Sequence, residues 1–210
     1  MDLHKFGIKF LATDAQGIDI LELIPIYHRW IQDKALDDLL IDVADYSHVP
    51  AGPGVMLIAH EGNYALDETG HERGIVYYSK QKLTGELPER FAQVAYKALK
   101  ATQLMSSDAG LKGALRVSGT ELQFFANDRL AAPNTDESYE EIEPAFKRFL
   151  DRLYDGAPYT LSREEDPGFQ PLAILADAPL AHFRRTLEKL IDAERASSTI
   201  SSAARAGYPH

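Results

Sequence analysis

Hydrophobic and polar residues change period several times along the chain, and each change marks an element. Residues 3–12 (LHKFGIKFLA) alternate as a half-buried strand does. Across residues 19–33 the apolar positions Ile20, Leu23, Ile24, Tyr27, Trp30 and Ile31 follow the 3.6-residue period of an amphipathic helix. Asp19 and Glu22 have the spacing of a capping box. Pro25 then lies too deep for a first-turn proline, so it must kink this helix or move its start later. Residues 38–48 (DLLIDVADYSH) read as a strand, followed by the Pro/Gly-rich loop 49–54. Residues 55–60 and 63–67 form a hairpin turning at Glu61-Gly62, and 75–79 form a further strand. A helix over 88–105 opens with Pro88 near its first position and lines up Leu87, Phe91, Val94, Ala98 and Met105.

The loop 108–113 resets the pattern. Residues 114–117 and 121–126 read as a second hairpin or a bent strand pair, and 127–135 as a polar connection. A helix over 138–154 carries Ile142, Phe146, Phe149, Leu150 and Leu153 on one face. Strands are expected at 159–163 and 170–176, joined around Pro167-Gly168. Asp177 is placed to cap a last helix, 179–194, with Leu180, Phe183, Leu187, Leu190 and Ile191 facing inward. The Ser/Ala-rich tail, 196–210, is expected to be disordered.

Two of these helices echo one another. Pro25 and Pro144 lie 119 residues apart, and around them Asp19 matches Ser138, Glu22 matches Glu141, Tyr27 and Trp30 match Phe146 and Phe149, and Arg29 matches Arg148. A mid-helix proline costs about 3 kcal/mol, so its recurrence in one register argues for duplication over coincidence. The prolines opening the closing helices, Pro88 and Pro179, are 91 residues apart. The difference of 28 residues is close to one extra hairpin, roughly 63–83, in the first half. The fold class expected is therefore α+β: antiparallel sheets with helices on one face, built by internal duplication of a β-α-β-β-α (ferredoxin-like) unit. Residues 1–107 would form one half and 114–195 the other, packed sheet to sheet or closing a shared barrel-like sheet.

Composition narrows the chemistry. The chain has 210 residues and no cysteine, which removes disulfides, thiolate nucleophiles and cysteine-bound metal clusters. Neither a signal peptide nor a membrane span is evident, and the cytoplasm is the default expectation. The formal net charge of −10, with Lys and Arg scattered, disfavours nucleic acid and anionic membrane as partners.

Two clusters stand out. In IDVADYSH, strand geometry puts Asp42, Tyr46 and His48 on one face and Asp45 on the other, where it would need a cation such as Arg29 or Lys34. Asp42 and His48, with His60 and Glu61 at the hairpin tip, could serve as acid and base or hold a divalent metal. As plain surface and turn residues they fit the pattern better, since no known metal-ligand spacing is reproduced. The second cluster, Asn127, Asp128 and Arg129, follows the apolar strand LQFFA, where Arg129 could take an anionic ligand bidentately. No phosphate-loop or nucleophile-elbow motif occurs. The leading expectation is a non-catalytic ligand-binding or assembly protein with a small molecule or protein partner, or a homo-oligomer. The alternatives are an enzyme using Asp42, His48, His60 and Glu61 on a small substrate, or a haem protein with a histidine such as His182 as ligand. No particular cofactor is indicated.

Overall fold

The structure, a computed structural model, describes residues 1–15, 17–49, 52–68, 73–111, 113–163 and 172–177. Strand β1 (Phe6–Asp14) leads through a short 3-10 turn (Ile20–Glu22) into helix α1 (Leu23–Asp33). Strands β2 (Leu40–Tyr46), β3 (Gly54–Ala59), β4 (Gly62–Asp67) and β5 (Gly74–Ser79) follow, then α2 (Leu87–Ser107). Strand β6 (Arg116–Ala126), helix α3 (Asp136–Leu153), β7 (Thr160–Arg163) and β8 (Ala173–Asp177) complete the described elements. The expected helix 179–194, with His182, and the tail 196–210 lie outside the described residues.

The eight described strands form one antiparallel sheet in the order β2-β3-β4-β5-β1-β6-β8-β7. It is continuous and open, neither two stacked sheets nor a closed barrel. β1 and β6, more than a hundred residues apart, pair at its centre from Phe6↔Ala126 to Phe10↔Leu122. β5 lies on the other side of β1, and β8 on the other side of β6.

Residues from the three described helices share one core with one face of this sheet. Alternation in β1 sends Phe6, Ile8 and Phe10 there. Phe91 of α2 is the hub: its ring lies 5.2 Å from Phe6, 5.4 Å from Phe124, 5.2 Å from Phe146 and 5.9 Å from Phe149. It thereby ties α2 and α3 to the central strand pair. Each such buried ring contributes about 1.5–3 kcal/mol, and each aromatic pair about 0.5–1.5 kcal/mol more. Helix α1 packs over β2 and β3 and buries Leu23, Ile26, Tyr27 and Trp30.

The opposite face is also buried over β3, β4 and β5, which explains their near-continuous apolar sequences GVMLIA, GNYALD and GIVYYS. Met56, Ala65 and Val76 form a second apolar cluster there, with Ile58 and Tyr78 against it.

Several expectations are corrected. Residues 116–126 form one long strand, not a hairpin or a bent pair. Gly119 does not break it, because pairing with β1 continues across register shifts after Phe10 and Ala12. Pro25 does move the helix start later: Asp19 caps the 3-10 turn through Leu21 N–H, and Pro25 is the third residue of α1. α3 is capped by Thr135 rather than Ser138, so Pro144 is its ninth residue and sits mid-helix. Strand β2 ends at Tyr46, leaving His48 in a turn and off the face it was expected to share with Asp42. Asp45 is exposed, and hydrogen bonds from the Ser47 hydroxyl and from Ser47 N–H, the latter at 2.8 Å, hold its carboxyl below the usual range. Its expected partner Arg29 pairs with Asp108 instead.

Candidate functional site

Antiparallel pairing brings the start of β1 beside the ends of β5 and β6, since Gly7 pairs both Tyr78 and Phe125. Three strand ends therefore converge. Lys5 precedes β1, Lys80 follows β5 and Asn127 follows β6, and the Asn127 N–H donates to the Lys5 carbonyl at 2.9 Å. The Ser79 hydroxyl, itself buried, accepts from Phe6 N–H at 3.2 Å and so pins the end of β5 to the start of β1. Beyond Asn127, the Asp128 carbonyl and carboxylate accept from Ala132 and Ala131 N–H at 2.8 and 3.2 Å. That closes the turn carrying Arg129.

Lys5, Lys80, Asn127 and Arg129 line one end of a cavity of about 800 Å³. Tyr78, Asn63 and Met56 form its floor, and Pro53 and Asp67 lie at the other end. Lys5 and Lys80 form no ion pair among the described residues. In a chain of net charge −10, this is a local excess of positive charge. Among the described lining residues the one carboxylate, Asp67, is paired with Lys9, which lies 2.9 Å from its Oδ2.

Two glycines make the floor possible. A Cβ at Gly7 would come within 2.4 Å of the Tyr78 ring, which lies across it toward Phe125, centroids 6.4 Å apart. A Cβ at Gly74 would come within 2.8 Å of the Lys9 side chain, which crosses β5 there on its way to Asp67. Burial raises the Tyr78 phenol well above its ordinary value, and the Asp67 charge adds to the effect. Asn63 Oδ1 is buried with no hydrogen-bond partner among the described residues.

Of the residues singled out from sequence, Asn127 and Arg129 meet at this cavity, and Asp128 shapes the turn between them. Asp42, His48, His60 and Glu61 are not brought together. Tyr46 pairs Gly54 and Leu40 pairs Ala59, so His48 and His60 lie past opposite ends of β3, roughly 17 Å apart along the strand. Shared ligation of a metal requires a far shorter reach. The Asp42 carboxylate accepts from Val43 N–H at 2.8 Å, and that of Glu61 from Leu39 N–H at 3.0 Å, so both serve the backbone. Among the described residues no trio of His, Asp and Glu is grouped to hold a metal ion, and no described helix is long and apolar enough to cross a membrane.

Sequence reasoning missed Lys5, Lys80, Asn63, Tyr78 and Asp67. One signal was present: Asn63 and Asp67 stand at even spacing in the otherwise apolar strand GNYALD, hence on one face. The fold and site thus define an α+β open-sheet protein with a cation-lined cavity at its central strand ends. No protein-family model matches the chain, and no curated protein and no solved structure matches it.

Proposed function

We propose that this chain binds an anionic small molecule in the cavity at the ends of β1, β5 and β6, without covalent chemistry. The observation carrying this reading is the meeting of Lys5, Lys80 and Arg129, from three separate strand ends, on one cavity of an acidic protein. Asn127 adds an amide donor beside them, and Arg129 can present its guanidinium fork to a carboxylate or phosphate. Two groups beside the cavity are already engaged: Ser79 Oγ with backbone, and Lys9 Nζ with Asp67.

The same reading treats the fold as two fused ferredoxin-like halves, meeting between α2 and β6. Its support is the central place of β1 and β6, the first strand of each half; the strand beside β1 is β5, which falls within the hairpin 63–83 expected as the insertion, and that counts against it. Among the described residues the first half carries two more strands than the second, the size of the hairpin expected as an insertion. The unequal depths of Pro25 and Pro144 in their helices count against it.

The binding reading is tested by calorimetric titration with inorganic phosphate and with small carboxylates. Neutralising Lys80 or Lys5 (K80Q, K5Q) is expected to weaken binding about tenfold, or about 1.4 kcal/mol, more so at low salt. Absence of binding by either class of anion, or binding indifferent to both substitutions, would overturn it.

A further inference from the structure

The anion-binding reading accounts for one end of the cavity only, and the inference here rests on that reading. Away from the cations the floor changes character. Tyr78 and Met56 line the cavity and belong to the apolar cluster that also holds Ala65, Val76 and Ile58, and Pro53 lies at the end of this stripe. The register gives its length. The Lys80 N–H donates to the Glu61 carbonyl, Asn63 stands opposite Tyr78, Ala65 opposite both Val76 and Met56, and Asp67 opposite Gly74. From Lys80 to the row of Gly74 and Asp67 is six residues of strand, or about 20 Å. A floor of that length and composition exceeds what a bare phosphate or acetate would occupy.

Between the charged end and the apolar stripe sits Asn63. Its Oδ1 is a buried acceptor without a partner among the described residues, a costly condition that a donor on a bound molecule would relieve. Asp67 and Lys9 balance one another at the far end, so nothing there calls for a charged group on the ligand.

We infer that the ligand is an amphipathic acid. Its anionic head lies among Lys5, Lys80 and Arg129. A hydroxyl or amide N–H next to the head donates to Asn63 Oδ1. Its apolar tail runs over Tyr78 and Met56 toward Pro53. N-acylated amino acids and hydroxylated fatty acids have this order of groups.

The test is calorimetric titration of the full chain with acetate, dodecanoate and N-decanoylglycine, each kept below its micellar range, with inorganic phosphate as a head-only probe. Dodecanoate is expected to bind at least about a hundredfold more tightly than acetate, because each buried methylene adds to affinity. N-decanoylglycine is expected to gain about a further tenfold from the Asn63 contact. That last gain should vanish in Asn63→Leu while dodecanoate binding stays. Met56→Ala should weaken both long acids and leave phosphate unchanged. The chain-length series needs no variant, so it stands even if Asn63→Leu fails to fold. If phosphate and acetate bind but lengthening the chain brings no gain, the tail inference falls and the anion site stands. If a long neutral alcohol binds as well as dodecanoate, the head assignment falls with it.

Discussion

Lys9 Nζ lies 2.9 Å from Asp67 Oδ2, and the two residues stand on strands that are not neighbours. β5 runs between them, and only the bare backbone of Gly74 lets the lysine cross it. Both side chains are at most 1% exposed, and the Phe125 ring centroid is 5.7 Å from the ammonium. Such a pair is stable as a unit and costly to halve, because the survivor is left as a buried charge. Lys9→Met or Asp67→Asn alone is expected to cost about 3–5 kcal/mol. The double variant Lys9→Met/Asp67→Leu should recover most of that loss. Urea unfolding of the three variants measures the coupling, and additive losses would refute it.

Alkaline pH should expose a second feature of the core. Burial raises the phenols of Tyr27, Tyr64, Tyr77 and Tyr78 above their ordinary value of 10.0. The folded state therefore holds these protons more tightly than the unfolded chain does. Stability from this source is complete below about pH 10 and is lost as the pH climbs from there toward the raised values. Absorbance of tyrosinate should rise in two stages, exposed phenols first and the buried ones only as circular dichroism reports unfolding. Smooth titration of all tyrosines near pH 10, with the fold intact, would contradict the burial assigned to them.

Strand β2 is an edge of the described sheet, and much of its exposed apolar surface gathers there: Leu39, Ile41 and Tyr46 are 65%, 55% and 43% exposed. Asp42 occupies a backbone donor of that edge by accepting from Val43 N–H, and it adds charge where another strand would pair. Asp42→Ala should leave the fold intact, changing stability by no more than about 1 kcal/mol, and should raise self-association. Light scattering coupled to size exclusion, across a concentration series, distinguishes this from the behaviour of the unaltered chain. An unchanged mass distribution would remove any guarding role for Asp42.

Much of the local structure was legible because it depends on neighbours in sequence. The period of Phe91, Val94, Ala98 and Met105 marked α2, and the Glu61-Gly62 turn marked the β3–β4 hairpin. Asn127 and Arg129 stood out because three hydrogen-bonding side chains follow an apolar strand. The errors fell where a long-range contact overrides a local cue. Residues 114–117 and 121–126 read as a hairpin or a bent pair, yet β1 pairs with β6 at both Val117 and Leu122. His48 read as a strand residue, yet among the described residues the pairing of β2 with β3 ends at Tyr46 and Gly54.

Side-chain periodicity and capping chemistry, which act over a few residues, were enough to set most helices and strands and the α+β class. The cavity came only with tertiary structure. Lys5 and Lys80 are ordinary lysines flanking two strands, 75 positions apart, until antiparallel pairing at β1 lays one strand's start against another's end. Arg129 joins them through the β1–β6 pairing, a contact across more than a hundred residues. Register between distant strands is decided by which faces bury together, and that information belongs to the packed sheet rather than to any one stretch of chain.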